Sequence, residues 1–481
     1  MKNKTITRKY LILPLVLAGT IAFADNDIHT GELSGDYSGE SHIDSVWENT
    51  YVKDGEKVIF SGSSRLSVST NYTRANFTRA SLTSARFDGA ILTDANFTGA
   101  NLTSASFHSL RLYEGTFTEF TATLTGADFT DAIIKGANFW NTVSRGFTES
   151  QLKSTNSYKE KDLSGIKLSD NNMSGWDFSG QNLNSADFYR TTLTGTNFTN
   201  ANLSSANFDY SIIKGANFSG TVGFTESQLK STNSYKEKDL SGIGLSNNNM
   251  SGWDFSGQNL QNSQLCYATL SDVNFKQADL RGSDLTGITG SLKTQNTIWA
   301  DGEIKNFTME SVDDSLIIRK YVPATSDGAM INAKIADDAS ISGGAVLTLE
   351  QGAVLEIASG KTLSVLDNSE IIFNVDAAAS DATKILLGEN SKLVFGSDSK
   401  IIVNLDGVIS PDDSYALSVI EVAADACISV ADAISKDNLV LNVNGEAYDS
   451  DKWGFNFDPT TGALTINVNV PEPATYAAIF G

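Results

Sequence analysis

The sequence predicts an all-β protein in which a solenoid is followed by a second β-rich domain, and three observations carry that prediction. From Tyr72 to Leu285 a large apolar residue returns at every fifth position. Two residues before most of these stands a small one, as at Ala75, Ala80, Ala85, Ala90, Ala95, Ala100 and Ala105. Beyond Leu292 the five-residue rhythm gives way to short β-branched runs separated by Gly, Asn and Asp.

A helix places apolar residues three and four apart and a half-buried strand two apart, so a period of five fits neither. It fits a chain that turns a corner every five residues, with one large and one small side chain inward on each side of a square coil. The first run reads Phe77, Leu82, Phe87, Leu92, Phe97, Leu102, Phe107, Leu112 and Phe117. It resumes at Leu124, two residues late, which a looped corner would absorb. A second run extends from Leu163 to Phe218 and a third from Leu240 to Leu285. Together they supply about nine coils, or roughly 40 Å at the interstrand spacing of ~4.8 Å.

Segments such as Ala-Asn-Phe-Thr-Gly at 95–99 and Ala-Asn-Leu-Ser-Ser at 201–205 resemble the pentapeptide-repeat family. The resemblance implies a right-handed quadrilateral β-helix over residues 72–290, with loop insertions at 140–162 and 219–239.

The amino terminus reads as a secretory signal over residues 1–24. Lys2, Lys4, Arg8 and Lys9 form its charged start, Leu11 to Ile21 its apolar centre, and Ala22-Phe23-Ala24 a small-x-small site cleaved between Ala24 and Asp25. Residues 25–71 then give a hairpin signal, because Asp54-Gly55 lies between strand-like runs at 46–52 and 57–60. A hairpin there would cap the first coil, whose unpaired edge would otherwise invite end-to-end growth.

The chain also repeats on a larger scale. Gly146 to Leu183 matches Gly223 to Leu260 at 36 of 38 positions, with Lys167 against Gly244 and Asp170 against Asn247 the only differences. A tandem duplication displays the same unit twice. In each copy Thr148 and Gln151, or Thr225 and Gln228, have the spacing of a capping box, which predicts a short helix on an outward loop. Tyr158 and Tyr235, with the neighbouring charges at 159–161, would form a docking knob on that loop, or the insertion is one tolerated at a corner. Trp176 and Trp253 occupy the small inward position, where a ring must either swing out as a sugar-stacking platform or pack beneath the loop helix.

Residues 291–469 form an acidic domain. Ala345–Leu349, Ala353–Ile357, Thr362–Leu366 and Glu370–Phe373 alternate apolar and polar residues, the signature of strands, and their spacing of eight or nine residues suggests a β-solenoid, with a β-sandwich as the alternative. At residues 470–481, Val-Pro-Glu-Pro-Ala-Thr-Tyr-Ala resembles the opening of a PEP-CTERM sorting signal, with Pro471, Glu472 and Pro473 as its motif. That resemblance implies processing by exosortase-type machinery and delivery to the envelope or extracellular matrix of a Gram-negative bacterium. Its pattern continues with an apolar membrane segment and arginines, neither of which stands before Gly481.

The net charge is −22, of which residues 301–481 carry −18, so the repeat region is close to neutral. Lacking a basic surface, the chain has no counterion-release route to nucleic acid. A nearly neutral coil in an exported chain also speaks against imitation of DNA, the reading of last resort among three. The three histidines, His29, His42 and His108, are scattered, and no nucleophile elbow, phosphate loop, metal-spaced cluster or dinucleotide fingerprint is found, so no cofactor or metal is expected. Asp313-Asp314, Asp337-Asp338 and Asp412-Asp413 alternate faces on a strand and read as solvated turns. Cys266 and Cys427 are expected as free thiols, the first facing solvent. The Asn-x-Ser/Thr triplets at 76, 96, 101, 197 and 202 arise from the repeat itself. The expectation is therefore a non-catalytic exported scaffold acting on extracellular polysaccharide or surface proteins; a β-helix enzyme acting on polysaccharide is the alternative.

Overall fold

The computed structural model describes residues 72–113, 116–376, 383–407, 414–423, 427–430, 438–447, 453–458 and 463–468, together with strands at 15–17, 20–22, 29–32, 48–54 and 57–61. The cleavage pair Ala24 and Asp25 and the motif Pro471, Glu472 and Pro473 lie outside these residues. The chain divides into two units, Met1–Lys236 and Glu237–Gly481.

Near the start of the first unit, Glu48–Asp54 and Lys57–Ser61 pair antiparallel, with Asp54 opposite Lys57. His29–Glu32 adds a third strand.

From Tyr72 the coils form, and the reason for the five-residue unit appears when each backbone N–H is followed to its acceptor. The Phe77 N–H donates to the carbonyl of Asn96 in the next coil (2.7 Å), Arg79 to Thr98 (2.8 Å), and Asn96 returns a bond to Ala75 (2.8 Å). Ala80 closes the corner on the Phe77 carbonyl at 3.0 Å. Only the Thr78 N–H is left over, and the side-chain oxygen of Asn76 takes it at 3.0 Å. Asn or Asp before the large residue is therefore the fifth acceptor of the pentad, which buried backbone requires. The corner residue sits in the left-handed region, as at Ser84 (φ 57°), Asp94 (φ 54°) and Gly99 (φ 65°), the conformation a type II turn demands at its third position.

Phenylalanine occupies alternate sides, so its rings form two columns within the square. Phe87, Phe107 and Phe139 stack at 5.3 and 4.8 Å, and Phe77, Phe97 and Phe129 at 5.0 and 5.1 Å. The columns meet edge to face, as between Phe87 and Phe97 at 84°. Leu and Ile fill the other two sides, and all these residues are buried. Each large residue contributes roughly 1.5–3 kcal/mol before conformational entropy is set against it.

The coil leaves this path earlier than the sequence suggested. Phe107 is the last inward residue of the first run; Leu112 and Phe117 instead face each other across an antiparallel hairpin of His108–Tyr113 and Thr116–Thr121. Asn76 pairs with Asn96 but Asn96 pairs with Asp128, so this coil holds twelve extra residues, not two. A five-residue spacing with apolar residues at 112 and 117 is also compatible with a hairpin whose turn lies between them, and periodicity alone does not separate the cases.

The capping boxes form as expected, opening α1 (Glu149–Ser154) and its copy α3 (Glu226–Ser231). Thr155 ends α1 in an extended conformation, and its hydroxyl also caps α2 (Asn156–Lys159). The copy of α2 is α4 (Asn233–Lys236). These helices do not stand on outward loops. Leu152 is buried, the Gln151 amide donates to the carbonyls of Leu124 and Ala127 at 2.9 and 2.8 Å, and the Ile134 N–H donates to the Ser157 hydroxyl at 3.0 Å. The helical segment takes the place of coil sides and supplies the acceptors those sides would have offered.

The second unit opens with pentad coils from Asp239 through Ile298, where Leu280 still donates to the Ile298 carbonyl at 2.8 Å. A three-sided parallel solenoid follows, not a sandwich. One face carries Glu303–Ile304, Ala333–Ile335, Val354–Ile357, Lys384–Leu387 and Ile420–Val422. A second carries Thr308–Met309, Ala339–Ile341, Thr362–Val365, Lys392–Phe395 and Cys427–Val430. The third carries Ser315–Ile318, Val346–Leu349, Glu370–Asp376, Lys400–Asp406 and Leu439–Val443. Alternate residues such as Leu347, Ile371, Phe373, Ile401 and Val403 point inward and form one core. Ser414–Ser418, Ala463–Val468 and Trp453–Phe457 make a separate antiparallel sheet.

Phe198 stacks between Phe178 (5.5 Å) and Phe218 (5.1 Å). Phe198→Ala should lower the unfolding free energy of its unit by about 3–5 kcal/mol in urea denaturation, and Phe198→Asp should abolish the cooperative melt.

Candidate interaction surfaces

The residues singled out from sequence for contact with partners are turned toward the protein. Trp253 is buried and Trp176 half-buried. The Trp176 ring lies 6.2 Å from Phe147, just before α1, and 6.3 Å from Phe178. Trp253 tilts against Phe255 at 6.1 Å. Both corners still close, Trp176 on the Met173 carbonyl (3.1 Å) and Trp253 on that of Met250 (3.0 Å), and neither tryptophan is the exposed platform. Tyr158 donates its hydroxyl to the Asp177 carbonyl at 2.8 Å, and burial, with help from the Asp177 charge, pushes its pKa above the ordinary range. Lys159 reaches Asp131 at 2.6 Å. Tyr235 is half-buried, its N–H held by the Thr232 hydroxyl at 3.1 Å. What the sequence allowed as a docking knob is a segment folded onto the coil beside it.

The outward polar rows are engaged as well. Asn202 donates to Asn182 (3.2 Å) and Asn182 to Asp162 (3.3 Å), so Asx side chains run in ladders one coil apart. The sequon asparagines belong to these rows: Asn101 accepts from the Thr103 N–H (3.1 Å) and Asn202 from Ser204 (3.1 Å). Cys266 is a free, half-buried cysteine whose thiol donates to the Ser246 hydroxyl at 3.1 Å. Asp314 accepts from the Glu310 N–H at 2.9 Å, the turn expected there. Asp412 and Asp413 lie outside the described residues, as does the side chain of Cys427.

Two features of the second unit were not read from the sequence. One is a buried ion pair: Arg281 binds both carboxylate oxygens of Asp279 at 3.0 and 2.7 Å, and both residues are almost fully buried. Its remaining donors reach the main-chain carbonyls of Arg319 (2.6 Å) and Ile331 (3.1 Å). Gln261 and Asn262 hold the same passing segment, donating to the carbonyls of Lys320 (3.3 Å) and Val322 (2.8 Å). A signal was available. The duplicated copies diverge directly after Leu260, and Gln261, Asn262, Asp279 and Arg281 stand where the first copy has Asn184, Ser185, Asn202 and Ser204.

The other is an open groove of about 870 Å³ on the third face of the solenoid, lined by Glu350, Gln351, Asn374, Asn404, Asp406, Asn442, Gly445 and Ala447. Asn442 donates to Asn404 and Asn404 to Asn374, each at 2.8 Å. Among the described residues no group of three His, Cys, Asp or Glu side chains could hold a metal ion.

Asp128, in the first unit, titrates below the ordinary carboxylate range. The hydroxyl of Thr130 is the main cause holding its carboxyl below the ordinary 3.8; burial opposes this, while the Thr130 N–H (2.9 Å) and the Thr98 hydroxyl (3.1 Å) support it. A depressed folded pKa stabilises above the unfolded value and is lost as pH falls through the folded one. Thermal melts should therefore hold their midpoint from neutrality down to about pH 4 and fall below it, and Asp128→Asn should flatten that acid slope. In the second unit, Asp279→Ala should cost about 3–5 kcal/mol by leaving Arg281 buried and unpaired, whereas the double replacement Asp279→Leu with Arg281→Met should recover much of it in a denaturation series.

The model of the family "Pentapeptide repeats (8 copies)" matches residues 70–108, 80–118, 162–200, 186–222 and 239–287. No curated protein matches the chain. Among solved structures, HetL, a pentapeptide repeat protein involved in heterocyst differentiation regulation from the cyanobacterium Nostoc sp. strain PCC 7120, is 23% identical, with 52% of this chain and 89% of HetL covered and a TM-score of 0.17. A trypsin-treated variant of QnrB1, a plasmid-mediated fluoroquinolone resistance protein, is 16% identical, with 49% and 93% covered and a TM-score of 0.14. The ranges that match the pentapeptide-repeat model, 70–118, 162–222 and 239–287, are ranges in which the five-residue units are built.

Proposed function

We propose that this protein is a non-catalytic scaffold, exported and held at the cell surface or in the extracellular matrix, where it contacts polysaccharide or neighbouring proteins. One structural observation carries the scaffold reading: the polar side chains in both units make coil-to-coil ladders, so the chemistry of the molecule is committed to building extended, regularly spaced surfaces. Asn182 with Asn202, and Asn374 with Asn404, are the pattern in each unit. The charged and apolar start at Met1–Ala24 and the Pro471-Glu472-Pro473 motif support export and sorting by exosortase-type machinery. Anchoring in the membrane would be transient and would need an apolar segment beyond Gly481.

Fractionation of the native source with intact-mass measurement tests this. The expected product is extracellular, begins at Asp25 and is clipped near Pro471. A full-length chain in the cytoplasm would overturn it.

A further inference from the structure

The groove on the third face of the second unit has a regularity that its residue types alone do not convey. Parallel pairing sets Ile318 beside Leu349, Leu349 beside Phe373, Phe373 beside Val403 and Val403 beside Leu441. The next residue of each strand therefore falls in one column that crosses five coils, with buried Arg319 at its head and Glu350, Asn374, Asn404 and Asn442 lining the groove. Arg319 lies 3.8 Å from Glu350, and the three asparagines are joined head to tail at 2.8 Å.

Such a ladder fixes the amide orientations. Along the column Asn374 uses one lone pair, Asn442 one N–H and Asn404 one of each, and the remaining amide sites are directed off it. Amide pairs accordingly recur along the groove at the coil spacing of ~4.8 Å. Gln351 and Asp406 flank the column. The strands Glu370–Asp376 and Lys400–Asp406, in the middle of this sheet, each lie between two neighbouring strands, so no strand can add between them and there the groove offers side chains.

We propose that this groove binds a neutral, hydroxyl-rich polysaccharide strand. Serial amides and carboxylates, both able to accept from hydroxyls and the amides able to donate to them, match such a chain. Glu350 and Asp406 with an acidic surround repel polyanions, and Gly445 and Ala447 give no apolar pocket for the side chains of a peptide. The proposal rests on the scaffold reading and names its ligand class.

The test is affinity electrophoresis of the purified full chain in gels containing dextran, galactomannan, alginate or gelatin. Retardation by dextran or galactomannan, and by neither alginate nor gelatin, is expected. Asn404→Leu and Gln351→Ala should each weaken it at least threefold; Gln351 is exposed, so its variant should melt as the parent does and separates binding from folding. Absence of retardation by both neutral glycans, retardation by gelatin alone, or unaltered binding by Gln351→Ala and Asn404→Leu would overturn the assignment. A chain that binds galactomannan yet fractionates with the cytoplasm removes the export reading alone, and an exported chain blind to both neutral glycans removes the groove alone.

Discussion

The protein depends on one constraint: a coil cannot satisfy its own backbone. Three of the five N–H groups in a pentad are answered by a neighbouring coil, one by the corner itself and, where Asn or Asp precedes the large residue, one by that side chain. Everything inward then follows from stacking. A phenylalanine placed in one coil finds its stacked partner in the next, at about the spacing the backbone bonds dictate, so ring columns and hydrogen-bond ladders enforce each other. A residue that fails in one layer fails for two neighbours.

The same constraint explains how the first unit accepts large insertions. The hairpin at His108–Tyr113 and Thr116–Thr121 leaves at Phe107 and the coil resumes at Ala122, whose N–H returns to the Phe107 carbonyl at 2.7 Å. The α1–α2 segment is the opposite solution. It remains in the stack because Gln151 and Ser157 supply bonds that a missing coil side would have left open. Its second copy, built on Gln228 and Ser234, repeats those bonds. The two copies thus make the same packing bonds to the coil beside them.

In the second unit the outward residues divide into two kinds of work. Gln261, Asn262 and Arg281, the last clasped by Asp279, hold main-chain carbonyls of residues 319–331, a use of buried charge that fixes how that segment lies. Asn374, Asn404 and Asn442 line an open groove instead. Both use polar side chains at solenoid positions, but the first set is covered and the second is not, and that difference decides which is available to a partner.

By itself the sequence determined the coil, because a five-residue apolar period has one economical solution, and it determined the capping boxes at Thr148 and Thr225 and the strands after Leu292, because these depend on neighbours within a few residues. The tertiary structure decided what local pattern leaves open. Whether Leu112 and Phe117 continue the coil or close a hairpin depends on which backbone groups lie in the coil above. Whether Trp176 and Tyr158 face solvent depends on where α1 and α2 settle. The column from Arg319 to Asn442 joins residues separated by coils of unequal length, so no fixed sequence interval announces it; only the register of parallel strands brings those side chains into line.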